Sequence, residues 1–278
     1  MSDTGPLSRE DYEEPCCPLD MRTPDEAAVR RIPLARVLEK LDEHLSRRDT
    51  AAAERLLRYW LEEARAGRDG RGELALSNEM MGLMRKSERR EDALAAGERA
   101  LALLAELDLA DSVTAGTTYV NYATVCKTFG MAAEALPYFE KAGFLYEKHL
   151  PGGDGRLGGL RNNMGLALAD LGRFEEARRS FREALDIMAS VPGGELEQAV
   201  TWLNLADLAE AELGSEEAED EILQDLAKAR QLLDAPALPR DGYYAFVAEK
   251  CAPGFRYYGD FAEAKKLEEE ARRIYERT

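Results

Sequence analysis

From about residue 33 onward, small and apolar residues return at every third or fourth position, in blocks separated by short breaks of Gly, Pro, Asp or Arg. That is the period of a helix with one buried face, and no stretch alternates as a half-buried strand would. The stretch from Asn162 to Leu185 gives the pattern in its clearest form. Met164, Ala167, Leu168 and Leu171 are spaced for one helix face, Gly172 stands where a left-handed residue ends a helix, and Ala177, Phe181 and Ala184 begin a second face. The spacing predicts a helical hairpin. Gly165 and Ala177 are small enough to let the two helices approach closely, and Phe181 is expected to fill the space towards the next hairpin. One such hairpin cannot bury its own apolar surface, so it needs neighbours.

The neighbours are found by periodicity. Ala93, Ala135 and Ala177 recur at intervals of 42 residues, as do Ala100, Ala142 and Ala184, while Gly130 matches Gly172 and Phe139 matches Phe181. The triplets Asn121-Tyr122-Ala123, Asn163-Met164-Gly165 and Asn204-Leu205-Ala206 follow nearly the same interval. This arrangement resembles the tetratricopeptide repeat, whose motif sets a small residue in helix A, Gly at its end, then Ala, an aromatic and Ala in helix B. The common form has a period of about 34 residues. A longer unit, with roughly one more turn in each helix at about 1.5 Å per residue, is similar to the repeats of kinesin light chains.

The resemblance implies an all-α fold, an α-α superhelix of about six hairpins. They are expected over residues 33–66, 73–108, 114–149, 157–190, 197–234 and 242–277, within a solenoid spanning 31–278. The first unit has Arg48 in place of the motif Gly and is read as a degenerate, capping repeat, and Gly67 to Gly72 as the next turn. In the last hairpin Pro253-Gly254 is expected to kink or break helix A and redirect Phe255, Arg256, Tyr257 and Tyr258. The fifth hairpin's second helix is expected from Glu216 to about Leu233. Residues 1–30, with Pro6, Pro15, Pro18 and Pro24, read as a loosely docked or disordered tail carrying Cys16-Cys17.

The net charge of −17 argues against nucleic acid, which needs a concentrated basic surface, and favours a neutral or basic protein partner. No apolar run approaches the ~18 residues of a membrane span. Met1 to Pro6 lacks a secretory pattern, so the expected location is the cytoplasm, where four cysteines are not expected to pair. His44 and His149 have no ligand spacing to the cysteines, so neither metal nor cofactor is expected. No P-loop, nucleophile elbow, zinc-protease or dinucleotide-binding pattern occurs, and the chain is read as non-enzymatic.

The candidate chemistry is a row of amides. In the resembling family the A helices line a concave groove, which would place Asn121, Asn163 and Asn204 in a ladder along it, with Asn78, Asn162 and Thr124 as further groove residues. An amide offers donor and acceptor together, which suits the backbone of an extended peptide. In kinesin light chains such asparagines hold peptide backbone. The alternative is that each Asn bridges neighbouring helices. Lys127, Lys250 and Arg256 are the expected groove cations, although the sequence matches poorly the family's clamp for a peptide carboxylate. Tyr243, Tyr244, Phe246, Phe255, Tyr257 and Tyr258 form an aromatic cluster that either lines a pocket mouth or packs as core. The leading expectation is a protein- or peptide-binding adaptor. The alternatives are a peptide-sensing regulator and a self-assembling scaffold built on the first repeat or the acidic segment from Glu216 to Asp225.

Overall fold

The computed structural model describes residues 29–277, so Cys16, Cys17 and most of the expected tail lie outside the described residues. The described residues form twelve α-helices and no strand. They divide into two compact units, Met1–Met131 and Ala132–Thr278. The first unit holds α1 (Leu34–Ser46), α2 (Thr50–Ala66), α3 (Gly70–Lys86), α4 (Arg90–Glu106) and α5 (Val113–Thr128). The second holds α6 (Ala132–His149), α7 (Gly155–Asp170), α8 (Phe174–Ala189), α9 (Glu195–Leu213), α10 (Glu219–Leu233), α11 (Gly242–Tyr257) and α12 (Phe261–Tyr275). Each unit is a stack of antiparallel helical hairpins, the all-α class expected of the sequence. In the first, α1 pairs with α2 and α3 with α4, and α5 packs on both α3 and α4. In the second, α7–α8, α9–α10 and α11–α12 are hairpins, with α7, α9 and α11 standing side by side.

Acidic and hydroxyl caps begin many of these helices. Asp49, Asp69, Ser112, Asp154, Asp241 and Asp260 each accept a backbone N–H of the following turn. Such a cap is worth about 1 kcal/mol. Most hairpin turns end in one pattern, in which the residue three past the helix donates back to the carbonyl five residues earlier. Asp49 N to His44 O and Arg173 N to Leu168 O, each 2.9 Å, are examples. The pattern requires a left-handed residue just before that donor. Gly172 and Gly259 take this role in the second unit, with φ of 71° and 84°; in the first, Gly130 takes it after α5, with φ of 76°, but Arg48, Arg68, Glu88 and Asp108 take it after α1 to α4, with φ between 54° and 58°.

Three expectations are corrected here. The turn after α2 is shorter than Gly67 to Gly72, since α3 begins at Gly70 and Arg68 takes the left-handed conformation; a Cβ at Gly67 would fall 2.3 Å from the Arg30 carbonyl oxygen, so that glycine admits a neighbouring backbone. Helix α11 runs unbroken through Pro253. Pro253 is exposed, so the Glu249 carbonyl that its missing N–H frees lies on the solvent side, where water can satisfy it. Helix α10 also begins at Glu219, three residues later than expected, because Gly214 to Ala218 form the turn.

The core follows the repeat. In the second unit Phe181 is fully buried and packs with Leu136, Leu168, Ala177, Leu205 and Leu208, drawn from α6, α7, α8 and α9. Gly165 makes room for it: a Cβ there would lie 2.6 Å from Phe181 Cε1. In the first unit Gly97 does the same for Tyr122, whose Cδ2 would be 2.3 Å from an added Cβ. Cys126 and Cys251 are buried thiols outside any disulfide, and burial pushes Cys251 up to about 12. No helix among the described residues is long and apolar enough to cross a membrane.

Candidate functional site

The asparagines bond to one another across adjacent helices. In the second unit Asn204 of α9 donates Nδ2 to Asn162 Oδ1 of α7 at 2.8 Å. The Thr201 hydroxyl, one turn earlier on α9, reaches the same oxygen at 3.0 Å and the Glu197 carbonyl at 2.9 Å, giving its one proton to either. The first unit repeats the device. Asn121 of α5 donates to Asn78 Oδ1 of α3 at 2.9 Å, and Asn78 returns Nδ2 to Thr118 Oγ1 at 3.2 Å and to its own helix at Leu74 O at 3.0 Å. These pairs are half-buried.

The expectation of amides free of intramolecular partners therefore does not hold for Asn121 and Asn204. The residue equivalent to Asn78 in this device is Asn162, one position before the periodic Asn163. A one-residue step turns a helical side chain by about 100°, so Asn162 reaches α9 while Asn163 makes no side-chain hydrogen bond and stays half-buried. Bridging still leaves chemistry over. Asn121 and Asn204 each keep one N–H and the carbonyl oxygen, as counted from the groups an amide carries and the single bond each donates.

Beside the second bridge lies a cavity of about 170 Å³. Gly158, Gly159, Asn162 and Asn163 come from α7, with Met188 of α8 behind them. Glu197, Val200 and Thr201 come from α9, and Tyr243, Phe246, Val247 and Lys250 from α11. Four expected site residues thus meet here: Asn162, Asn163, Tyr243 and Lys250. Tyr243 donates its hydroxyl to Glu197; burial and that carboxylate hold the phenol well above its usual range, so the contact keeps its proton at neutral pH.

Further along α9, Tyr258 donates to Asp207 Oδ1 at 2.9 Å and lies 3.3 Å from Glu210 Oε2, while Tyr257 donates to Glu210 Oε1 at 3.2 Å. Burial and the Glu210 charge raise the Asp207 carboxyl above its ordinary value, against the pull of the Tyr258 hydroxyl. The aromatic cluster accordingly divides. Tyr243 and Phe246 line the cavity, Tyr257 and Tyr258 meet the α9 carboxylates, and Tyr244 and Phe255 are fully buried core.

The remaining expected residues sit apart. Arg256 is exposed and pairs with Glu268 of α12 at 2.7 Å, away from the cavity. Thr124 returns its hydroxyl to Val120 O at 2.7 Å within α5, and half-buried Lys127 lies in the last turn of that helix. Residues the sequence reading missed include Thr118, Thr201 and Glu197. The two threonines had a legible signal, the shared Thr-x-x-Asn spacing at Thr118–Asn121 and Thr201–Asn204.

The first unit has a cavity of its own, about 230 Å³, among α2, α3 and α4. Its arginines are already matched within the protein: Arg65 and Arg99 both hold Glu73, whose side chain is 4% exposed, at 2.7 and 2.8 Å, and Arg58 pairs with Glu54 at 2.7 Å. Among the described residues no group of three or more His, Cys, Asp or Glu side chains converges as a metal site would require.

Comparison with known proteins agrees with this architecture. The tetratricopeptide repeat family model matches residues 157–231, which take in α7, α8, α9 and most of α10. A crystal structure of kinesin light chain nearly identical TPR-like repeats from Podosopora anserina is similar at 17% identity and a TM-score of 0.50, covering 73% of this chain and 95% of that one. BtubC from P. vanneervenii is 18% identical over 89% of this chain and 92% of its own, with a TM-score of 0.48. No curated relative matches the sequence. The family match makes residues 157–231 tetratricopeptide repeat, and the stacked hairpins of the other described residues share the same all-α fold.

Proposed function

We propose that this protein is a non-enzymatic adaptor of the cytoplasm that holds an extended segment of a partner protein along α7, α9 and α11. One observation carries the reading: polar groups able to meet a peptide backbone, Asn163 and the unspent edges of Asn162 and Asn204, lie beside a cavity with the apolar walls of Val200, Phe246 and Val247. Backbone-type contacts next to a side-chain pocket are what recognition of an extended chain needs. Buried thiols at Cys126 and Cys251, neither in a disulfide, fit a reducing compartment.

Peptide display against the full chain tests this. Selected peptides are expected to lose affinity for Asn163→Ala by the worth of one or two hydrogen bonds, about 0.5–1.5 kcal/mol each, with the fold retained because Asn163 bonds nothing internally. Phe246→Ala is expected to weaken them further. A selection that yields no binder, or binders indifferent to both replacements, overturns the reading.

A further inference from the structure

One glycine of α7 opens onto the cavity of the second unit. Gly158 and Gly159 are adjacent in α7, yet their surroundings differ. A Cβ at Gly158 would fall 2.5 Å from Met188 Sδ, so close packing accounts for that glycine, whereas a Cβ at Gly159 would meet no heavy atom within 4 Å. Glycine inside a helix is less stable than alanine there. At Gly159 that cost brings no packing gain within the chain. What it leaves is open volume.

The volume has a definite size. A cavity of about 150 Å³ accepts a benzene ring, and this one offers about 170 Å³ between Phe246, Val247 and Val200. The surrounding charge is also defined. Glu197 stands at the rim together with Lys250, and ten residues further along α9 come Asp207 and then Glu210. Those two carboxylates receive hydroxyl donors from Tyr257 and Tyr258, and among the described residues no Lys or Arg pairs with either. Ten residues of helix span about 15 Å, the reach of four or five residues of extended chain.

We infer, resting on the binding role proposed above, that the Gly159 cavity is a socket for one Leu- to Phe-sized side chain of an extended partner segment, and that Asp207 and Glu210 select a Lys or Arg four or five residues along from it. Buried side-chain anchors carry most of the affinity in such interfaces. The opposite charge on the partner sets specificity and encounter.

The test uses three fluorescein-labelled peptides on a Gly-Ser background, titrated by anisotropy against the full chain. The first carries Phe and, four residues later, Lys; the second replaces Phe by Ala; the third replaces Lys by Glu. The first is expected to bind at least tenfold more tightly than either other peptide, and to lose at least tenfold on Gly159→Leu, whose added side chain occupies the socket. Gly159→Ala, which adds a single methyl group to open space, is expected to raise thermal stability and weaken binding severalfold, and it serves if Gly159→Leu misfolds. Equal binding of the three peptides, preference for the Glu peptide, no binding by any of them, or indifference to both Gly159 replacements would overturn the inference. If display-selected binders sensitive to Asn163→Ala exist while these peptides fail, the socket and its charge preference fall and the adaptor reading stands.

Discussion

The two units make the same turn with different residues, and they hold their charges differently. Where the second unit ends α7 and α11 with Gly172 and Gly259, the first ends α1, α2, α3 and α4 with Arg48, Arg68, Glu88 and Asp108 in the left-handed region. A side chain there costs roughly 1–2 kcal/mol per residue. The first unit therefore carries strain at each hairpin, against which stands its buried ion-pair network at Glu73. The second unit pairs charges too, Arg178 with Glu212 and Glu221, but it packs α6 to α9 around Phe181 and leaves Asp207 and Glu210 of α9 to tyrosine hydroxyls. Identical backbone geometry can thus be reached at different local cost, provided that neighbouring hairpins supply the difference.

The largest expected effect lies in the wedge. Phe181→Ala should cost about 3–5 kcal/mol, read as a fall in the urea midpoint; an unchanged midpoint would mean that Phe181 does not couple α8 to α7 and α9.

Next comes the ion-pair network of the first unit. Burial opposes ionisation of Glu73, but Arg99 and Arg65 outweigh it and hold its carboxyl below the usual range. A depressed folded-state value means that this stabilisation is complete above the unfolded carboxylate range, near pH 4.3, and is lost as pH falls through the lower folded value. Glu73→Gln should remove about 1–3 kcal/mol at neutral pH and flatten the acid limb of stability. In the second unit, burial raises Asp225, with Lys228 pulling the other way, so protonation there relieves a penalty as pH falls. Acid unfolding that is unaltered by Glu73→Gln would refute the contrast.

Smaller still are exchanges between the turns. Gly172→Ala should destabilise the second unit by about 1–2 kcal/mol, since no neighbouring atom compensates at that open position. The converse, Glu88→Gly, should stabilise the first unit by about 0.5–1 kcal/mol, the helix-end glycine preference less its extra freedom when unfolded. Melting temperatures that move the same way for both replacements would show that the turns are not what separates the units.

Much of this architecture was legible because the repeat writes its packing in small residues. Ala93, Ala135 and Ala177 fixed the register, and Gly165 was readable as a place of close approach, though not that Phe181 is what occupies it. The turns of the first unit were less legible, since a left-handed Arg or Glu leaves no compositional mark. The expected break at Pro253 failed because sequence does not say which carbonyl a proline strands, and this one faces solvent. At the site, the asparagine series was visible but its register was not. Periodicity selected Asn163, while the bridging partner of Asn204 is Asn162, a distinction settled by side-chain direction. The cavity itself was hidden, because its walls come from four helices that only the fold brings together.

The left-handed side chains of the first unit also bear on how often its hairpins come apart. In a stack where each hairpin opens against its neighbours, a deficit of about 1 kcal/mol raises the open population roughly fivefold. Amide protons at the α1–α2 and α3–α4 turns should then exchange with solvent deuterium several times faster than those at the α7–α8 turn, giving a difference in breathing set by Arg48 and Glu88.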